Sequence, residues 1–146
     1  MVWATKRIKY CSILLVVIQA AGGLLGVAYI AATTLMPYHL DYIGMSSADI
    51  QNFSPKLHNL ILVFLKMIGV YQLLIMVYGI AITLIPFRRA ERWAWISLFA
   101  VGLIDLISLL AVTFYVGAWI KWVMLALIAL FLVAMLVPVR DFFRKK

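Results

Sequence analysis

Residues 93–137, WAWISLFAVGLIDLISLLAVTFYVGAWIKWVMLALIALFLVAMLV, form a 45-residue apolar run broken only by isolated polar positions. One helix of that length would measure ~67 Å at 1.5 Å per residue, about twice a ~30 Å hydrocarbon core. Two crossings joined by a tight turn fit better. Gly117 is the expected turn, because glycine tolerates the backbone angles a tight reversal needs. Lys121, Trp119 and Trp122 sit beside it, as residues at a membrane–water interface do. The two helices are then expected at about 93–116 and 118–137, with Pro138 closing the second.

Two more apolar runs precede this one. The first covers about 8–35, ends before Pro37, and follows Lys6, Arg7 and Lys9. It is longer than the ~7–15 residue core of a signal peptide and is expected to be a retained helix. The second covers about 57–85. Ser54 and Pro55 open it, a capping residue followed by a first-turn proline, and Pro86 is expected to stop it. The expected architecture is therefore all-α: one domain over 1–146 with four transmembrane helices in an up-down bundle.

Composition supports this setting. Of 146 residues, 67% are hydrophobic and 12% charged, and the mean hydropathy is +1.11. Soluble domains carry about twice that share of charge. The net charge of +8 could point to nucleic acid, but no nucleic-acid motif accompanies it. The cations instead cluster at the ends of apolar runs. Ten of them, Lys6, Arg7, Lys9, Arg88, Arg89, Arg92, Arg140, Arg144, Lys145 and Lys146, fall on one side of the expected bundle. Lys56 and Lys121 fall on the other. Positive-inside bias then places both termini in the cytoplasm and the chain in a cytoplasmic membrane, its cations against lipid headgroups. The outer loop between the first two crossings contains Ser46-Ser47-Ala48-Asp49, a capping pattern that predicts a short interfacial helix.

Polar residues inside the apolar runs are the candidates for function. Counted from the cytoplasmic ends, Gln19 lies ~16 Å up, Gln72 ~20 Å and Asp105 ~18 Å. Three helices thus carry a polar group at nearly one depth. Helical spacing places Gln19 on a stripe with Ser12, Gly22, Gly23 and Gly26, and Asp105 on a stripe with Gly102 and Ser108. Gly22, Gly26 and Gly102 are expected at close helix approaches. An aspartate at such depth faces the bundle interior and needs partners. Asp105 has three expected states: holding its proton, accepting hydrogen bonds from Gln19 and Gln72, or paired with Lys66. The alternative for Lys66 is to snorkel outward. The last helix has no polar residue between Trp122 and Pro138 and is expected to face lipid most.

Other chemistry finds little support. His39, Asp41 and His58 are metal-ligand types without a metal-site spacing. Cys11 stands alone, so an internal disulfide and dithiol chemistry are excluded, and a buried apolar role is expected. No cofactor motif is present.

The RRAERWAW junction at 88–95 and the outer MPYHLDYIGMSSADI loop at 36–50 resemble small uncharacterised four-helix integral membrane proteins of prokaryotes. That resemblance implies a four-helix bundle and no activity. The arginine-bearing pattern of eicosanoid- and glutathione-metabolising membrane proteins is absent, and the lone cysteine excludes thiol-based quinone reductases. The expected function is non-enzymatic: an accessory subunit in a larger complex or homo-oligomer, or a protein that binds an apolar ligand. The alternatives are a small transporter or proton-coupled protein using Asp105, and an intramembrane enzyme acting on a lipid.

Overall fold

Every long apolar run forms a helix, because in lipid the backbone polar groups must be satisfied within the segment. A computed structural model describes residues 5–144; Lys145 and Lys146 lie outside the described residues. Helix α1 spans Lys6–Ala31 and is capped by Thr5, whose side chain accepts from the Ile8 amide. Helices α2 (Pro37–Ile43) and α3 (Ser47–Phe53) lie in the loop that follows α1. Helix α4 spans Pro55–Ile82 and runs into a π turn at Thr83–Phe87. Helices α5 (Arg92–Tyr115), α6 (Lys121–Leu136) and the short α7 (Val139–Phe143) complete the chain. No strand occurs among the described residues. Four helical segments are long and apolar enough to cross a membrane, as in a multi-pass membrane protein.

The boundaries depart from expectation in informative ways. The first crossing ends at Ala31, not near residue 35, and Pro37 opens α2. A proline that stops one helix also suits the first turn of the next. Pro86 does not end the second crossing; it lies within the π turn. The wider π turn accommodates a residue without an amide donor, whose ring would clash in a regular α turn. Gly117 makes the expected reversal with φ +72°, and the last crossing begins only at Lys121. Ser46 and Asp49 form the expected capping box on α3, each side chain bonding the other's backbone N–H. Ile50 of that helix is buried, whereas Phe53 is exposed.

Packing is tightest between α1 and α4. A Cβ on Gly26 would lie 2.8 Å from the Gly69 carbonyl oxygen, and one on Gly69 would fall equally hard against Gly26. The two backbones therefore touch through paired glycines, the small-residue contact expected of membrane helices. Gly79 faces Gln19 in the same seam, and Gly23 faces Met76. Helix α6 packs on both α1 and α5, with the Phe131 ring seated on Gly102. By contrast α4 and α5 barely touch; the π turn carries most of the contact on that side. Three sides of the bundle are closed and the fourth is open.

Helix α6 is thus not the most lipid-facing crossing. Its apolar window is 28% buried, against 11% for α5. Ala134 and Met135 are fully buried.

The arginine-bearing end of the bundle is tied by polar contacts. Arg88 Nε donates to Ser12 Oγ (3.0 Å), and Arg92 Nε to the Phe142 carbonyl (3.1 Å). Trp95 Nε1 donates to the Met135 carbonyl at 2.8 Å. That bond satisfies a carbonyl in the last turn of α6 that has no intrahelical partner. Ile8, Phe87 and Phe142 fill the space between these bonds.

Candidate functional site

The open side of the bundle leads into a cavity of about 490 Å³ lined by α1, the α4 crossing, α5 and α6. Its walls are aliphatic, with Leu15, Ile18, Leu98, Leu106, Leu127 and Phe131 among them. The volume falls within the range of small-molecule pockets. The cavity exists because α1 holds α4 close through glycines, while α6 draws α5 the other way through Gly102 and Phe131. No glycine pair brings α4 to α5.

Gln19, Gln72 and Asp105, expected at one depth, all line this cavity. They do not bond to one another. Gln19 is engaged elsewhere: its Nε2 donates to Thr83 Oγ1 at 3.2 Å, and the Thr83 hydroxyl lies 3.4 Å from Gln19 Oε1. Thr83 is fully buried in the π turn, so this reciprocal pair fastens α1 to the C-terminal end of α4. Gln72 is only 6% exposed. Among the described residues, no side-chain hydrogen bond or ion pair reaches Gln72, and Asp105 has no hydrogen-bonding or charged neighbour. Ser97 is the remaining small polar group in the lining, and Tyr78, 67% exposed, stands at the α4 rim.

Two expected members lie elsewhere. Lys66 is exposed on the outer face of α4 beside Val63, Met67, Val70 and Tyr71. It is not the counter-charge of Asp105; its position matches the snorkelling alternative. Ser108 is exposed on α5. The cavity face of that helix runs Leu98, Gly102, Asp105 and Leu109, and Ser108 is rotated about 100° from Leu109.

The glycines divide as well. Gly26 and Gly102 sit at close approaches, whereas a Cβ on Gly22 would meet nothing within 4 Å. Gly22 lines the cavity instead. Gly69 and Thr83 were not anticipated, although both fall on the Gln72–Gly79 face, at three residues before Gln72 and four after Gly79.

The histidines do not form a metal centre. Among the described residues, no group of three or more His, Cys, Asp or Glu side chains could hold an ion. His58 is buried and its Nε2 lies 3.0 Å from Ser47 Oγ, tying α3 to α4. The His39 ring packs against Tyr38 with centroids 4.3 Å apart, and Asp41 is exposed. Cys11 is buried within the α1 packing.

No protein-family model, curated protein or solved structure matches this chain. The cavity geometry therefore carries the functional argument by itself.

Proposed function

We propose that this protein binds an apolar or amphipathic molecule drawn sideways from the bilayer, through the open side between α4 and α5. The observation that carries the reading is the cavity: apolar-walled, near mid-membrane by helix counting, and bounded by all four crossings. Binding fits the lining better than chemistry does, since neither histidine nor cysteine faces the cavity. A carrier using Lys66 as counter-charge is disfavoured, because Lys66 faces outward. Clustered cations at the inner end support a cytoplasmic membrane with both chain ends inside.

Gly22 supplies the test. Because its Cβ direction opens into free space, Gly22→Leu should fill the cavity without disturbing the α1–α4 seam. Protein purified from its membrane in mild detergent is extracted and its bound small molecules identified by mass spectrometry. The wild type should retain a species enriched over bulk membrane lipid, and Gly22→Leu of unchanged melting temperature should lose it. Identical profiles for the two would overturn the reading.

A further inference from the structure

The polar groups of the cavity differ in how well they are satisfied, and the difference specifies a ligand. Gln19 is engaged by Thr83 through both its amide nitrogen and its amide oxygen. Gln72 is more than nine-tenths buried, lines the cavity and has no side-chain partner. Asp105 lines it from α5 without a partner either. No lysine or arginine is in the lining. A carboxyl group at this depth either holds its proton or ionises against a positive charge or a set of donors. Among the described residues neither a cation nor a donor set faces Asp105, and Lys66 is directed elsewhere.

From this we infer that the ligand is an amphipathic primary or secondary amine. Its ammonium group occupies the space between Asp105 and Gln72, and its apolar body lies along Leu98, Leu106 and Phe131. The ammonium donates to the Asp105 carboxylate and to the Gln72 side-chain carbonyl, two acceptors presented from α5 and α4. The ion pair forms with the ligand's own charge, so neither partner is left uncompensated in hydrocarbon. A chain too long for the cavity extends through the open side into lipid. Anionic ligands are disfavoured, because no lysine, arginine or histidine is in the lining and Asp105 is.

The inference rests on the cavity being a binding site, and the experiment separates the two claims. Dodecylamine and dodecanol carry the same chain and differ only in the head. Saturation binding of each, radiolabelled, is measured to protein in neutral phosphatidylcholine nanodiscs, with empty discs subtracted. The protein's net charge of +8 works against nonspecific uptake of a cation, so a preference for the amine reports a local site.

Wild type should bind the amine about tenfold more tightly than the alcohol, the ratio expected of one charge-assisted hydrogen bond. Asp105→Asn should bring the two together, Asp105→Glu should restore part of the preference, and Gly22→Leu should abolish both. Equal wild-type affinities, each lost in Gly22→Leu, would overturn the amine assignment and leave the cavity reading standing. Binding of both probes unchanged by Gly22→Leu would overturn the cavity reading itself. Should Asp105→Asn fail to fold, the wild-type ratio and its loss in Gly22→Leu decide the matter alone.

Discussion

Gly22 and Gly26 lie one turn apart on α1 and have opposite surroundings. The Gly26 Cβ position is filled by the Gly69 carbonyl, the Gln72 Cβ and the Leu73 amide. Backbone atoms cannot rotate away, so a side chain there must push α4 off α1. Gly26→Val should therefore cost about 1–3 kcal/mol, the usual range for overpacking. Gly22→Ala should cost nothing and gain up to about 0.5–1 kcal/mol, because a mid-helix glycine is less favourable than alanine and nothing obstructs the methyl group. Reversible unfolding in mixed micelles checks both; equal losses would mean that the glycine seam does not position the helices. Spacing alone marked Gly22-x-x-x-Gly26 as a packing motif but could not assign the two roles. Both glycines belong to one broad face, and only the partner helix decides which is covered. Lys66 and Ser108 show the same limit. Depth and face follow from counting, whereas the rotation of a helix about its axis follows from its neighbours.

The crossings were legible as elements because a ~20-residue apolar run has few alternatives in lipid. Their mutual contacts were less so. Helix α6 is apolar all round, so no stripe reveals which side packs; the structure buries Phe131, Ala134 and Met135. Helix α2 went unread because Pro37 signals a stop and a start equally. That helix should carry a pH dependence. His39 Nδ1 is buried without a hydrogen-bond partner, and burial lowers the affinity of the ring for its proton. The neutral ring is favoured in the fold, so its contribution is fully present above the ordinary value of 6.5 and is lost as pH falls through the lower folded value. Hydrogen-exchange protection over residues 37–43, corrected for intrinsic rate, should fall between pH 7.5 and pH 5. His39→Phe retains an aromatic ring against Tyr38 and should make protection independent of pH. A loss of equal size in that variant would assign the effect to another group.

At the scale of the whole molecule, the ends of the bundle differ in charge and in construction. Arg88, Arg89, Arg92 and Arg140 gather at one end, with Arg88 and Arg92 bonded to α1 and α7. The other end is built from α2, α3 and the Gly117 turn, with Lys56 and Lys121 as its flanking cations. By the positive-inside rule this asymmetry predicts a chain oriented with its cationic end in the cytoplasm. The chain is suited to a direct test, since its single cysteine is buried among apolar neighbours in α1 and should give little background with a membrane-impermeant maleimide. Asn52 on α3 and Arg89 after the π turn are both exposed, at opposite ends. Asn52→Cys should label in intact cells. Arg89→Cys should label only after the membrane is permeabilised. The reverse pattern would put the arginines outside, and the charge asymmetry would then need a cause other than orientation. A ligand entering between α4 and α5 needs neither end to open, so cavity binding should be unchanged by blocking Asn52→Cys with the same reagent.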